Sequence, residues 1–383
     1  MTLGVVRALG GSGDLLAAAA VISLLYFTEA ALAIVIRFHV RVQQQYEALV
    51  RVIVEALETT LVLVLIVKGA SLVTLMAAPP AAAGIGVALA YVLARRRYGR
   101  LPRLQLRVAP TLLREALPIG LTLLLAAAYL RSPALLVASL RDAAEAGFYG
   151  AAYQPVEYLL LASAVVINVL LPLLSRAFVA DTARFATLYR RGTEALLALT
   201  IPVAAVIVVA GPALVGAVYG PEFEASATPL RLLGVALVPM VMNFWHSIVL
   251  LAGGQQRLTL AYDLLAFAVT IVLCVALIPT FGARGAAVSL LATSVVVVAC
   301  AVVATAVRLD VTVDLARVGA IVGLGLLAGG ASFGLASVVP APLALAVGLG
   351  ADLLALWRFG LLPAISQLDL APATDLTEEV APA

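Results

Sequence analysis

Apolar stretches of roughly twenty residues or more recur along the whole chain, separated by short segments in which Arg, Gly and Pro gather. A hydrocarbon core about 30 Å thick takes roughly 20 apolar residues per helical crossing. The pattern therefore predicts about eleven membrane-spanning helices, near 14–37, 49–67, 71–94, 112–139, 147–175, 192–218, 227–252, 258–279, 284–307, 316–338 and 341–360. The runs are long, rich in Leu and Ala, and lack the alternation of about ten residues that marks a membrane barrel strand. The expected fold class is an all-α polytopic membrane protein. Pro79, Pro80, Pro118, Pro133, Pro155, Pro172 and Pro202 lie within or at the edges of spans. They predict kinks, because proline removes a helical hydrogen bond and neighbouring helices can satisfy the freed carbonyl.

Composition removes the soluble alternative. The chain is 64% hydrophobic and 12% charged, with a mean hydropathy of +1.13, whereas a soluble domain is about half apolar and a quarter charged. The net charge of +3 rests on one Lys, Lys68, and on Arg spread through short loops. No basic domain forms, which argues against nucleic acid as a partner. If the loop from Arg37 to Arg51 is cytoplasmic, 18 of the 24 basic residues fall on that side of the membrane, as the positive-inside rule requires. Eleven spans then place the amino end outside, yet residues 1–13 contain no signal peptide to carry it there. The expectation is that the amino end is incomplete.

Residues 176–191 mix apolar and basic positions and predict a helix lying on the cytoplasmic surface. Beyond Arg358 the chain has no basic residue, and Asp369, Asp375, Glu378 and Glu379 stand among Pro and Ala in an acidic tail expected to be disordered. Cys274 and Cys300 fall inside apolar runs without metal-ligand spacing and read as small buried hydrophobes. His39 and His246 are the only histidines. The chain offers no convergent set of polar residues of the kind an active site needs, so neither an enzyme nor a metal or other cofactor is expected.

Three stretches carry a resemblance to a known family. The first is Leu112-Leu-Arg-Glu-Ala-Leu-Pro-Ile-Gly120; the second is Glu145-Ala-Gly-Phe-Tyr-Gly-Ala-Ala-Tyr153, continued by Glu157 and by Leu171-Pro-Leu-Leu-Ser-Arg176. The third is Tyr219-Gly-Pro-Glu-Phe223 with Ile278-Pro-Thr-Phe-Gly-Ala-Arg-Gly-Ala286. In order and spacing these resemble the polysaccharide flippases of the multidrug, oligosaccharidyl-lipid and polysaccharide exporter superfamily. The resemblance implies a two-lobe exporter-type bundle. It divides the chain into a partial N-lobe of three helices at 1–111, a C-lobe of six at 112–310, an additional pair at 311–362 and the tail at 363–383. The stretch from Ala33 to Gln44 is similar to the end of a fourth helix in that family, so by the same comparison about three helices of the N-lobe are lacking.

The implied activity is secondary transport: turning lipid-linked oligosaccharides, carried on polyprenyl diphosphate, across the cytoplasmic membrane by alternating access, in polysaccharide or lipopolysaccharide biosynthesis. Membrane lipid, glycosyltransferases and a polymerase are the implied partners. The sequence has no ATP-binding loop of the GxxxxGK[ST] kind. Alternatives are export of drugs or of peptidoglycan precursors within the same superfamily, or a truncated, non-transporting membrane partner of glycan synthesis.

Ionisable and polar groups inside spans are the candidate functional residues, since each is costly in lipid. Arg131, in Tyr129-Leu-Arg-Ser-Pro133, suits two-pronged capture of a diphosphate or acidic sugar; the other reading is a snorkelling or helix-pairing Arg. Tyr153, Glu157 and Asn168 are spaced to share one helix face. Glu157 is then a cation or proton acceptor, or the ion-pair partner of Arg131. Glu29 lies within the first span and is read as lining a cavity. Asn243 and His246, three residues apart, form either a titrating pair or interhelical hydrogen-bonding glue.

Overall fold

The computed structural model describes residues 13–32, 44–98 and 109–335, with 350 and 354. It divides into two units, Met1–Pro110 and Thr111–Ala383, and among the described residues it contains helices and no strand. Six of its helical stretches are long and apolar enough to cross a membrane: Leu72–Arg97, Gly120–Leu140, Ala143–Ala180, Thr182–Gly211, Pro221–Ala252 and Gln256–Leu309. The span expected at 341–360 apart from residues 350 and 354, residues 33–43 and the acidic tail lie outside the described residues.

In the first unit, α1 (Gly13–Leu32), α2 (Gln44–Val67), α3 (Leu72–Met76) and α4 (Ala78–Tyr98) follow one another. Ser71 caps α3, its hydroxyl accepting from the Thr74 N–H, which satisfies one of the amide donors a helix start leaves without a partner. Both α1 and α2 pack on α4. Val50, Ala90 and Ala94 are buried there against Tyr46, Val54, Leu89 and Leu93. Small residues on α4 permit close approach, the usual means of helix association where lipid removes the hydrophobic drive. Tyr26, Phe27, Val52 and Val67 stay exposed, a surface suited to acyl chains.

The second unit holds α5 (Ala109–Leu140), α6 (Ala143–Ala180), α7 (Thr182–Tyr219), a short 3-10 turn (Pro221–Ser226), α8 (Ala227–Ala252), α9 (Gln256–Leu309) and α10 (Leu315–Leu335). The centre is α8, which packs against α6, α7 and α9. Its Leu230, Leu233, Leu237, Val241, Trp245 and Val249 are buried, as expected of a helix that is apolar all round. By contrast α6 has two characters. Tyr149, Tyr153, Val156, Ile167 and Leu174 face the core, while Tyr158, Leu161, Val165 and Val169 form an exposed stripe.

One expectation requires correction. No separate surface helix occupies 176–191: α6 runs to Ala180, Asp181 caps the next helix by accepting from the Ala183 and Arg184 N–H groups at 3.0 Å, and α7 continues unbroken to Tyr219. The apolar positions that imitate a lipid-seeking face are covered by protein, Phe178 packing edge-on to Phe185 at 5.2 Å and Tyr189 to His246 at 5.7 Å. Both helices, at 38 residues and about 57 Å, simply project beyond a 30 Å core. Helix α6 passes through Pro155 and Pro172, whereas in α9 the helical backbone breaks at Gly282, with φ 56° and ψ −133°. Only a residue without Cβ adopts that conformation at little cost.

Helix α10 lies along α7. Arg317 of α10 pairs with the buried Glu194 of α7 at 3.3 Å. Further along, Gly325 and Gly329 approach Ile201 and Ala205 so closely that a Cβ on Gly325 would stand 2.2 Å from the Ile201 side chain. This is small-xxx-small packing, with an ion pair anchoring one end. A cysteine pair at Ala205 and Gly329 should cross-link readily in a chain whose own cysteines are replaced. Adding Gly325→Leu should reduce that cross-link to a minor fraction, because the leucine pushes the helices apart. Undiminished cross-linking would show that this contact does not hold α10.

Candidate functional site

Parts of the second and third stretches that carry the family resemblance meet at one end of the second unit. Asp142 caps α6 by accepting from the Glu145 N–H at 2.8 Å. The Glu145 carboxylate then reaches across to accept from the Ala283 N–H at 2.8 Å, just past the Gly282 break in α9. Arg141 donates to the Pro279 carbonyl at 3.1 Å. Phe148 meets Phe223 edge-on at 5.9 Å, and Tyr219 lies 5.5 Å from the same ring. These contacts fasten helix ends together; none of them requires a substrate.

A different part of α5 and α6 carries the candidate site. Arg131 stands near the middle of the Gly120–Leu140 span and donates through Nη1 to Glu157 Oε2 at 3.2 Å. Its Nη2 donates to Glu157 Oε1. The two contacts form a two-pronged ion pair, the geometry in which guanidinium and carboxylate bind most strongly. The arginine side chain keeps 62% of its surface exposed and the glutamate 24%. At mid-span an exposed guanidinium needs water or an anion beside it, since hydrocarbon would exact a high penalty.

Tyr153 lies one turn before Glu157, buried and stacked on Tyr149 with ring centroids 5.9 Å apart. Tyr129, two residues before Arg131, and Tyr149 have buried hydroxyls with no hydrogen-bond partner among the described residues. Tyr149 and Tyr153 thus form a buried, stacked pair on the core-facing side of α6.

Asn168 is not part of this arrangement. Helical spacing puts it on the face of Glu157, but it lies 11 residues, or about 16 Å, further along α6 and is exposed beside the apolar stripe of Val165 and Val169. Glu29 stands within α1 in the first unit; its side chain lies outside the described residues. His246 is buried, donating from Nδ1 to the Met242 carbonyl at 2.7 Å and sharing a 3.1 Å hydrogen bond through Nε2 with Tyr189. A neutral ring with Nδ1–H committed in this way accepts from the phenol, so the histidine joins α8 to α7. Asn243 beside it has a buried Oδ1 without a partner among the described residues. Of the cysteines, Cys274 is buried as expected, but Cys300 is exposed, because an apolar run in a membrane protein marks contact with lipid as readily as burial.

Sequence reasoning missed the Glu145 clasp, the Glu194–Arg317 pair and the bond from Trp245 Nε1 to Thr193 Oγ1 at 2.9 Å. The signal available was the presence of Glu194 in an otherwise apolar helix, which calls for a partner. It did not say which of the many arginines would serve.

Comparison with known proteins supplies the class. The chain is a multi-pass helical membrane protein whose fold is that of a solved structure described as "Lipid II flippase MurJ, inward closed conformation". The TM-score is 0.71 at 11% identity, over 91% of this chain and 75% of that one. Two family models match: one described as polysaccharide biosynthesis protein, over residues 6–228, and one described as lipid II flippase MurJ, over residues 159–366. Among curated proteins none matches. Each model spans more than half of the sequence, and the chain belongs to the polysaccharide and lipid-linked precursor flippases of the multidrug, oligosaccharidyl-lipid and polysaccharide exporter superfamily.

Proposed function

We propose that this chain is a secondary transporter of the cytoplasmic membrane that turns a glycan precursor, linked to a polyprenyl diphosphate, from the inner to the outer leaflet by alternating access. The observation that carries this reading is the exposed, mid-span Arg131 held by Glu157 within a flippase fold. A diphosphate presents oxygens at a spacing that the guanidinium fork matches, and a low-dielectric surrounding strengthens the contact. Glycosyltransferases would supply such a substrate and a polymerase would consume it.

The test is flipping of a fluorescent lipid-linked oligosaccharide in proteoliposomes. Arg131→Ala should slow it by about tenfold or more, the equivalent of roughly 1.4 kcal/mol or more of lost interaction. Unchanged flipping would remove Arg131 from the site. The second reading, a peptidoglycan precursor as cargo, is favoured by the match of residues 159–366 to the lipid II flippase model. Rescue of cells depleted of their own lipid II flippase separates the two: growth restored by this chain selects the peptidoglycan precursor, and loss of surface polysaccharide without such rescue selects the glycan.

A further inference from the structure

We propose that Glu157 is an internal competitor for the substrate anion: it occupies the Arg131 fork while the site is empty and, by reclaiming it, sets how tightly and for how long a diphosphate is held. The proposal rests on the reading of Arg131 given above and assigns to Glu157 a part opposite to that of a ligand-binding residue.

The carboxylate and an incoming phosphate compete for the same geometry. Glu157 engages both terminal nitrogens of Arg131, Nη1 with Oε2 and Nη2 with Oε1. A phosphate captured by the same fork needs those donors, so full engagement of the anion excludes the carboxylate. Exchange can nonetheless proceed without stripping the guanidinium bare. An arginine carries five N–H donors, and with 62% of its side chain exposed it leaves an approach for an incoming anion before the carboxylate departs. The glutamate, at 24% exposure, sits on the covered side of the pair. It lies one turn past Tyr153, at the i, i+4 spacing from which a donor can reach the released carboxylate. Pro155 lies between them. Having no N–H, it leaves the Ala151 carbonyl without its helical bond, which makes this turn of α6 easier to deform.

The ion pair also accounts for the state without substrate. A lone charge at mid-span is costly, whereas a paired one is partly offset, so the empty site rests as a neutral pair. When the diphosphate leaves, the carboxylate returns. A carrier needs release as much as capture, and a cation with no competing counter-ion would hold a multiply charged anion and slow each cycle.

The experiment uses the full chain in lipid nanodiscs, with inorganic pyrophosphate as probe, measured by titration calorimetry at one pH and salt concentration. Glu157→Gln should tighten pyrophosphate binding by about tenfold, while Arg131→Gln should abolish it. In proteoliposomes the Glu157→Gln protein should show a lower half-saturating substrate concentration together with slower maximal flipping, a split that a merely structural role would not produce. Thermal melts identify a variant that fails to fold. In that event Glu157→Asp, one methylene shorter and unable to keep both contacts, should shift the affinity in the same direction by a few fold. If Arg131→Gln loses binding but neither Glu157 variant binds more tightly, Glu157 is not a competitor, although Arg131 remains the anion site. If Arg131→Gln binds as the parent does, the underlying reading fails as well.

Discussion

Replacing Gly285 with alanine is expected to leave the protein unable to reach the parent's stability, and valine there to prevent its accumulation. A Cβ at this position would stand 2.5 Å from the Leu277 carbonyl oxygen and 2.7 Å from its carbon. Both are main-chain atoms, so no rotamer change relieves the overlap, and the two halves of α9 must move apart where they cross. That movement would also disturb the Gly282 turn, the Glu145 to Ala283 bond and the Arg141 to Pro279 bond. Overpacking of this kind costs about 3 kcal/mol, and more when several contacts shift together. The control is Gly150→Ala, in the interior of α6, where a Cβ meets nothing within 4 Å. It should be neutral or stabilise by up to about 1 kcal/mol through helix propensity. Thermal melts of the detergent-purified proteins measure both. A Gly285→Ala protein that melts with the parent would show that the halves of α9 do not cross so closely.

The second large effect is expected at the Arg131–Glu157 pair, and it lies in the coupling between the residues. Arg131→Ala leaves a half-buried carboxylate unpaired, and Glu157→Ala leaves an unpaired guanidinium at mid-span. Each should lower stability by about 2 kcal/mol, a figure reduced from that of a fully buried pair because the arginine is largely exposed. The double variant carries neither charge and should lose clearly less than the sum of the two, with a coupling of about 1 kcal/mol or more. Exchanging the residues, Arg131→Glu with Glu157→Arg, should recover much of the stability while failing to restore transport, since the guanidinium then projects from α6 instead of α5. Additive single losses in the melting series would show that the two side chains do not depend on each other.

Most residues of the resemblance motifs lie apart from the candidate site, which takes only Tyr153 and Glu157 from them. Glu145, Phe148, Tyr219, Phe223 and Gly282 together build one end of the helical bundle. Arg131 and Glu157 sit elsewhere on α5 and α6. This separation explains why such motifs identify the superfamily but not its cargo: they secure an architecture on which many substrates can be carried.

The sequence alone determined that the chain is helical and crosses a membrane repeatedly. A bilayer imposes its own condition, about 20 apolar residues for every crossing with all backbone groups satisfied internally, and that condition is written linearly. For the same reason the ends of α8, at Ala227 and Ala252, stand where the apolar run of 227–252 begins and stops. What the linear pattern cannot carry is the choice between lipid and protein as the neighbour of an apolar face. Phe185 and Tyr189 imitate a surface-seeking helix yet are buried, and Cys300, inside an apolar run, is exposed. Asn168 shares a helical face with Glu157 by spacing, but three turns of α6 separate their surroundings. Polar partners were equally hidden, because they lie far apart in the chain: Glu145 with Ala283, 138 residues on, and Glu194 with Arg317, 123 residues on. Hydrophobicity is a property of each residue and is legible one position at a time. Pairing depends on which helices lie together, and in a membrane, where most outward surfaces are apolar, close packing and a few polar contacts make that choice.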